Sequence, residues 1–304
     1  MTVPPLPLNG ITPLPALGVI RAQGADAGRF LHGQLTQDFA LLPPHQARLA
    51  AYLTPKGRML ASFIAWQRGP EDYLLVCSRD LLAATLKRLA MFVLRAKVQL
   101  HDASADFQLW GLAGDALISI AGSAKPAWAK ADFDAANLVH LYPACGQPRG
   151  LWLAPADTPA PSGAALAPAL WAWGEVQSGV VTLCAALTDA FVPQMLNYES
   201  IDGVNFKKGC YPGQEVVARS QFRGQLKRRT YLAHADAELP VGAEIFTPDD
   251  AEQPVGQVAQ AAPAPGGGWD ALVVLQTSAA QAALHAGAAQ LTLGSLPYPL
   301  RDDI

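Results

Sequence analysis

The sequence has 304 residues, of which 15% are charged and 51% are apolar, and its formal net charge is -3. This length allows two or three domains with separate cores, but no apolar run approaches the roughly eighteen residues of a membrane span. The first seven residues lack both the basic start and the apolar run of a secretory signal, so we expect a cytoplasmic protein.

Residues 18–100 predict an α+β unit. Strands are expected at residues 18–24, 48–54, 58–66, 73–77 and 97–100, and helices at 25–40 and 79–95. The second helix has the clearest pattern, because Leu82, Leu86 and Leu89 recur at intervals of four and three residues. The order β-α-β-β-β-α-β favours helices packed on one face of an antiparallel sheet.

The rest of the chain predicts further strands and then a barrel. Strands are expected at residues 107–112, 116–121, 138–142 and 150–154, followed by a proline-rich linker at 154–168 and a helix at 166–179. Residues 180–206 are predicted to be largely irregular. From residue 226 onward the expected strands are at 229–234, 244–247, 255–262, 269–276 and 290–293. Short strands at this spacing favour a small antiparallel barrel.

Positive charge is concentrated in one segment of a chain that is slightly acidic as a whole. Among residues 207–229 the only acid is Glu215. The basic residues of this segment are Lys207, Lys208, Arg219, Arg223, Lys227, Arg228 and Arg229. A solvated loop would explain the charge, and so would a site for a polycarboxylate, a phosphate or a nucleic-acid backbone. Aromatic residues in the same segment also suit a flat heterocycle.

Residues 206–219 combine reactive side chains with residues that form loops. Gly209, Pro212 and Gly213 predict a loop of unusual backbone geometry. Cys210 follows two lysines, whose charge favours a thiolate, so it could be a nucleophile, a redox thiol or a ligand for a metal supplied by a partner. A small residue buried in a tight turn is the alternative. The cysteines are widely spaced, so no metal site or disulfide framework is expected from this chain alone.

Residues 208–215 read K-G-C-Y-P-G-Q-E. This resembles the K-G-C-Y-x-G-Q-E signature of the YgfZ family, folate-binding proteins related to the T-protein (aminomethyltransferase) of the glycine cleavage system. Four other segments resemble the family in the same order along the chain. They are residues 30–38 (F-L-H-G-Q-L-T-Q-D), 55–58 (P-K-G-R), 191–197 (F-V-P-Q-M-L-N) and 222–224 (F-R-G).

The resemblance implies an α+β fold. Two interleaved ferredoxin-like lobes and a C-terminal antiparallel β-barrel would form a three-lobed ring around a folate channel. The lobes would span residues 1–226, with a division near 103–110 and a linker at 154–168, and the barrel would span 227–304. The implied cofactor is tetrahydrofolate or a one-carbon folate. The implied role is to support the assembly or repair of iron–sulfur enzymes, including one that modifies tRNA, with iron–sulfur client or assembly proteins as partners.

The same resemblance assigns candidate site residues. The signature loop would border the channel, with Cys210 as the chemically active group and Lys208 and Tyr211 as candidates to assist it. The candidates for folate binding are Gln34, Arg58, Gln214, Glu215, Arg219 and Arg223.

Two segments of the T-protein have no match in this sequence. Its G-Y-T-G-E-D-G segment, whose glutamate holds the pterin, corresponds most nearly to residues 150–155 (G-L-W-L-A-P), and its V-V-N-A run is replaced by residues 75–78 (L-V-C-S). These departures argue against aminomethyl transfer from a lipoyl-bound intermediate, so a tetrahydrofolate-dependent one-carbon transferase is the second hypothesis. The third is a non-enzymatic adaptor that binds RNA or protein through the basic segment.

Overall fold

The computed structural model describes residues 8–222, 226–250 and 252–301. The α-helices in this part of the chain are α1 (Ala27–Gln34), α2 (Arg79–Ala90), α3 (Asp115–Ala121), α4 (Pro168–Gln177) and α5 (Gln214–Phe222). None of these helices has the length and apolar content needed to cross a lipid bilayer.

The strands form three antiparallel sheets. In chain order they are β1 (Gly10–Pro13), β2 (Leu17–Gln23), β3 (Ala47–Leu53), β4 (Met59–Gly69), β5 (Asp72–Ser78), β6 (Gln99–Asp102), β7 (Phe107–Ala113), β8 (Lys130–Phe133), β9 (Ala136–Ala144), β10 (Gln147–Pro155), β11 (Arg228–Ala235), β12 (Glu244–Ile245), β13 (Gly256–Pro263), β14 (Trp269–Gln276), β15 (Leu284–Ala286) and β16 (Ala289–Gly294).

Two five-stranded sheets build the α+β part of the molecule. The first has the order β3-β4-β5-β2-β6 and packs against α1 and α2, and the second has the order β1-β7-β10-β9-β8 and packs against α3 and α4. The sheets are interleaved along the chain, because β1 precedes every strand of the first sheet yet pairs with β7 of the second. The sequence predicted interleaved lobes, although the exact division near residues 103–110 and the linker at 154–168 stay predictions.

The third sheet is a nearly closed barrel with the strand order β12-β13-β14-β11-β16-β15. Its two edges meet where Phe246 and His285 exchange backbone hydrogen bonds of 2.9 and 3.0 Å. Alternate residues of β13 and β14, among them Val258 and Val273, point inward and are fully buried. The predicted α+β fold with a C-terminal antiparallel barrel is therefore confirmed.

Several predicted elements differ in the structure, among them the helix expected at 25–40, which ends at Gln34. Residues 116–121 were expected to form a strand, but they lie in α3, which begins after Gly114 (φ 60°) and is ended by Gly122 (φ 76°). A short apolar run has no periodicity that separates a strand from a helix, so only its packing decides. The helix expected at 79–95 ends at Ala90. The predicted loop at 206–219 becomes helix α5 from Gln214 onward.

Candidate functional site

Residues 206–219 form a tight turn followed by the start of α5. The side-chain Oδ1 of Asn205 accepts hydrogen bonds from the backbone N–H groups of Lys207 at 2.8 Å and Lys208 at 3.0 Å. Asparagine side chains hold turns in this way by bonding backbone groups a few residues further along the chain. The side chain of Lys208 is buried, whereas Cys210 is exposed to solvent.

The ammonium group of Lys208 caps the C-terminal end of α1. Its Nζ donates hydrogen bonds to the backbone carbonyl oxygens of His32 and of Leu35, the latter at 2.9 Å. Carbonyl groups at a helix C-terminus lack partners within the helix and carry partial negative charge, so a cation stabilises them. The same Nζ lies 4.4 Å from the centre of the Tyr211 ring. Burial lowers the pKa of Lys208 to about 8.

A histidine–aspartate pair lies beside this turn, with 3.0 Å between His32 Nδ1 and Asp38 Oδ1. The same carboxylate oxygen accepts hydrogen bonds from the backbone N–H groups of Ala40 and Leu41, both at 2.9 Å. Burial works to raise the pKa of Asp38, but the hydrogen bonds outweigh burial and hold that pKa below its usual value. A Cβ atom on Gly209 would lie 3.3 Å from His32 Nε2, so glycine allows the turn to approach the imidazole.

The thiol of Cys210 is one residue away from this contact between Gly209 and His32. Negative charge on Cys210 works to raise the pKa of Lys208, against the larger opposite effect of burial. The site therefore presents a thiol that is open to solvent and within electrostatic reach of a cation.

The turn at residues 55–58 packs directly against the start of α5, within residues 206–219, which we call the signature stretch. A Cβ atom on Gly213 would lie 2.6 Å from the carbonyl oxygen of Thr54 and 2.8 Å from Gly57 Cα, and one on Gly57 would lie 2.9 Å from Val216 Cβ. Both glycines have positive φ, 74° for Gly57 and 81° for Gly213. Larger residues would separate the two segments, so the glycines of two different sequence motifs are required by one close contact.

Residues 191–197 pack against α5 and hold it in place. The side-chain Nε2 of Gln194, a fully buried residue, donates a hydrogen bond of 2.7 Å to the carbonyl oxygen of Val217 in α5. Asn197 donates a 2.9 Å bond from Nδ2 to the carbonyl oxygen of Thr230, which belongs to the barrel strand β11. Three segments that are distant in the chain therefore meet at the signature stretch. They are residues 30–38, 55–58 and 191–197.

The acidic and basic candidates for folate binding within α5 face solvent. Glu215 and Arg219 form an ion pair with 2.7 Å between Oε1 and Nη2, and both side chains are mostly exposed. Gln214, at the first position of α5, is half-buried and donates its backbone N–H to the carbonyl oxygen of Tyr211. Arg223 lies outside the described residues.

The other two candidates for folate binding lie elsewhere. Arg58 donates a 2.6 Å hydrogen bond from Nη1 to the carbonyl oxygen of Ala190. Gln34, the last residue of α1, lines a shallow hollow that also contains Arg29 and Arg95. The described candidates are not brought together around one cavity, so their assignment to a cofactor stays a prediction.

The basic segment does not form a single charged surface. Lys208 and Arg229 are buried, and Arg229 Nη1 donates a 2.8 Å hydrogen bond to the buried carboxylate of Glu199. Arg219 is neutralised by its ion pair with Glu215. Much of the charge that is concentrated in the sequence is therefore dispersed by folding.

A cavity lies between the two five-stranded sheets and is closed on one side by α4. Its volume is about 50 Å³, and we call it the central cavity. Its walls are largely apolar and aromatic, with contributions from Phe63, Cys77, Trp128, Tyr142, Trp171 and Tyr198. Ligand sites in proteins have this kind of lining, with a few polar groups that fix orientation, although their volumes are usually several times larger.

The charged groups of the central cavity are Arg149 and Glu175. Arg149 is almost fully buried, forms an ion pair with Glu175, and lies with its guanidinium carbon 4.4 Å from the centre of the Trp171 ring. Burial lowers the pKa of Arg149 to about 9, and its Nε has no hydrogen-bond partner in the described part of the chain. An unpaired buried donor in a cavity wall is suited to a ligand that supplies an acceptor.

Sequence reasoning missed both of these residues as well as the pair of His32 and Asp38. A signal existed for Arg149, which is a lone charge next to an otherwise apolar strand segment. No comparable signal marked Glu175, because a carboxylate in a helix is usually solvated. Their pairing depends on the packing of α4 across the end of the second sheet.

The chain resembles known proteins over most of its length, although no protein-family model matches it. It is 31% identical over 252 residues to the tRNA-modifying protein YgfZ of Photorhabdus laumondii, an alignment covering 79% of this chain and 75% of that protein. It is 32% identical over 239 residues to the tRNA-modifying protein YgfZ of Edwardsiella ictaluri, covering 74% of this chain and 71% of that protein.

The fold resembles that of a solved aminomethyltransferase. The glycine cleavage system aminomethyltransferase T from Bartonella henselae superimposes with a TM-score of 0.68, covering 96% of this chain and 87% of that one at 16% sequence identity. At this identity the match shows a shared fold. The three-lobed arrangement of two α+β lobes and a barrel is therefore that of the T-protein.

Proposed function

The chain belongs to the YgfZ family of tRNA-modifying proteins, and on that basis we propose that it is a folate-binding protein that supports the assembly or repair of iron–sulfur enzymes, including one that modifies tRNA. The thiol of Cys210 is the proposed active group. One observation supports this role most directly: Lys208 is buried against the end of α1, while Cys210 two residues later is exposed. The loop is thus held by the lysine and presents the thiol.

The central cavity is the proposed folate site, and the chemistry of its lining suits that group, although its volume of about 50 Å³ requires it to widen on binding. Tyr142 offers an aromatic surface to a heterocycle, and the unpaired Nε of Arg149, whose guanidinium lies against the Trp171 ring, offers a donor to a carbonyl or ring nitrogen. Glu175, which is paired with Arg149, can accept a hydrogen bond from an amino group of the ligand. Tetrahydrofolate, when bound, carries one-carbon groups on its nitrogen atoms.

Titration with tetrahydrofolate and its one-carbon forms tests the ligand class. We expect saturable binding to the wild type that is lost in Arg149→Met and retained in Cys210→Ala, because the thiol is not among the residues that line the cavity. Binding should be followed by quenching of tryptophan fluorescence, since Trp128 and Trp171 line the cavity. Absence of binding to the wild type would contradict the folate assignment.

Complementation of a strain that lacks this protein tests the role of the thiol. We expect Cys210→Ala to leave iron–sulfur enzyme activities low and Cys145→Ala to restore them, because both thiols are exposed but only Cys210 lies at the signature turn. Folding is checked by unfolding curves for both variants. Full restoration by Cys210→Ala would show that the thiol has no chemical role.

A one-carbon transferase remains the alternative suggested by the fold. Among the described residues that line the central cavity, Glu175 is the single carboxylate, and it is paired with Arg149. The cavity thus has no free carboxylate to act as a base, which favours the proposed role over transfer chemistry. Turnover of a one-carbon folate by the purified protein with an amine or sulfur acceptor would reverse this preference.

A further inference from the structure

A second, wider depression lies next to the signature turn, and we call it the lateral cleft. Its volume is about 740 Å³. Its walls come from the loop before β3, from residues 126–129, from residues 202–207 and from the end of α5. Trp128 lines both the lateral cleft and the central cavity, so the two spaces are neighbours.

Two buried polar atoms in the wall of the lateral cleft lack hydrogen-bond partners among the residues that the structure describes. Gln221 is only 2% exposed, yet its Oε1 accepts no hydrogen bond. Arg48 donates a 2.7 Å bond from Nη1 to Gln46, but its buried Nε has no acceptor. Buried polar groups are normally satisfied by hydrogen bonds, so an unpaired acceptor and an unpaired donor in one cleft fit a ligand that carries both functions.

The mouth of the lateral cleft carries an exposed aromatic ring. Phe222 is 66% exposed, and its ring packs edge-to-face on Phe206 with 5.5 Å between the centroids. A phenylalanine that is this exposed beside a polar cleft offers a surface on which a flat ring can stack. The packing on Phe206 fixes the orientation of that surface.

The charges around the lateral cleft favour an anion, although they are mixed. Lys207 is exposed, and Arg48 is half-buried, while Asp202 contributes one exposed carboxylate. Burial lowers the pKa of Arg48, and the charges of Asp38 and Asp202 only partly oppose that change. A bound phosphate would compensate the desolvated guanidinium more fully.

We propose that the lateral cleft binds single-stranded RNA, with one base stacked on Phe222, the edge of that base bonded to Gln221 and Arg48, and flanking phosphates close to Lys207. A nucleotide combines a flat ring, a donor and an acceptor on its edge, and a negative charge. A base in a duplex has its faces and edge occupied, so an unpaired base is required. Only the choice of RNA over DNA rests on the proposed function in tRNA modification.

The test measures binding of a fluorescein-labelled 12-nucleotide single-stranded RNA by fluorescence anisotropy, without folate, at several salt concentrations. We expect saturable binding that weakens as salt increases. Phe222→Ala should weaken binding by about 5- to 150-fold, the range for loss of one base–aromatic stack. Phe222→Trp should retain binding, which separates loss of stacking from loss of folding.

Matched controls come from exposed residues that do not line the lateral cleft. Lys207→Gln should reduce the salt slope by about 0.7, the value for one phosphate contact in a single strand, whereas Lys87→Gln in α2 should leave it unchanged. Phe92→Ala, at another exposed phenylalanine, should also have no effect. Equal effects of Phe222→Ala and Phe92→Ala would overturn the proposal, as would equal affinity for duplex RNA.

Two further outcomes separate this proposal from the folate-dependent role. Cys210→Ala should bind RNA as the wild type does, so failure of the thiol hypothesis leaves RNA binding unaffected. A γ-linked hexaglutamate peptide serves as a competitor. The proposal is wrong if RNA does not bind and the peptide binds instead, with binding weakened by the Lys207→Gln and Phe222→Ala substitutions. The cleft would then accept a polycarboxylate.

Discussion

Lys208 is the residue on which the geometry of the signature turn depends most. Although Lys208 is only 9% exposed, its ammonium group keeps its charge because two carbonyl oxygens accept hydrogen bonds from it and an aromatic ring lies against it. The carbonyl oxygens belong to His32 and Leu35, at the end of α1. Removing the ammonium group leaves the end of the helix without its cap, so its effect should reach both the turn and α1.

Lys208→Met should destabilise the protein by about 1–3 kcal/mol at pH 7, the cost of leaving buried carbonyl groups unsatisfied. The folded-state pKa of about 8 lies below the ordinary 10.5. Between these values the unfolded chain binds more protons, so the stability of the wild type relative to the variant should increase as pH rises from 8 to 10.5. Urea unfolding at pH 7, 8.5 and 10 measures this difference. The exposed Lys87→Met is the control, and a difference that is constant with pH would contradict the expectation.

The effect of Asp38→Asn on stability should vary with pH in the acidic range, whereas that of Lys208→Met varies in the basic range. The pKa of the Asp38 carboxyl is held below its usual value by hydrogen bonds to its charged form, so its contribution to stability is present above about pH 4. The contribution is lost as pH falls through the folded-state pKa. We expect a loss of about 1–2 kcal/mol at pH 7 that shrinks toward pH 3. Asp157→Asn, at an exposed site, should show neither effect in the same unfolding measurements.

At the scale of elements, the site is assembled where segments that are distant in the chain approach more closely than ordinary side chains would allow. The 55–58 turn and the start of α5 touch through Gly57 and Gly213. Gln194 then fixes α5 from the other side by its bond to Val217. Because these contacts fix the start of α5, they also determine the position of the preceding turn, which carries Cys210.

Gly213→Ala tests this close contact, with Gly146→Ala as its control. Both glycines have similar positive φ, 81° and 75°, but a Cβ on Gly213 meets the carbonyl oxygen of Thr54 at 2.6 Å whereas one on Gly146 meets nothing within 4 Å. Gly146→Ala should therefore cost only the backbone strain, about 1–2 kcal/mol. Gly213→Ala should cost at least about 2 kcal/mol more, because backbone must move.

Alkylation of Cys210 gives a second measurement for the same pair of variants. Displacement of α5 should change the rate at which iodoacetamide modifies this thiol in Gly213→Ala, and Gly146→Ala should react at the wild-type rate. Equal losses of stability in the two variants would show that the contact with Thr54 can relax without cost.

At the scale of the whole molecule, two sheets and α4 enclose the central cavity. Its charged side chains, Arg149 and Glu175, join the second sheet to α4 through one largely buried ion pair. Buried pairs of this kind contribute little to stability compared with an apolar pair of the same volume, but loss of one partner is costly. The pair is therefore better explained by the proposed ligand site than by a need to stabilise the contact between the second sheet and α4.

Arg149→Met alone should destabilise the protein by about 3–5 kcal/mol, since it leaves Glu175 without its partner. Because Glu175 is 27% exposed, the lower end of this range is expected. The double variant Arg149→Met/Glu175→Leu should recover most of that stability. Both variants should fail to bind tetrahydrofolate in the titration. If the double variant binds folate with wild-type affinity, the pair has no role in the site.

The sequence by itself determined the fold class, most of the strands and the position of the signature stretch. Its alternating apolar patterns are local properties, and they predicted β3, β4, β5 and most of the barrel strands close to their observed bounds. It failed for α3, where a short, mostly apolar run has no distinguishing period. It also placed Cys210 beside a cation, because its neighbours in the chain are lysines, but it left open whether the thiol is exposed or buried, and the structure exposes it.

Only the tertiary structure decided which groups meet. Lys208 contacts the carbonyl of His32 across 176 positions of sequence, and Arg149 contacts Glu175 across 26. Folding also separated charges that are adjacent in sequence, burying Lys208 while leaving Lys207 exposed. The physical reason is that burial, pairing and the pKa of a group depend on the segments packed around it. Those segments come from distant parts of the chain, where local periodicity carries no information.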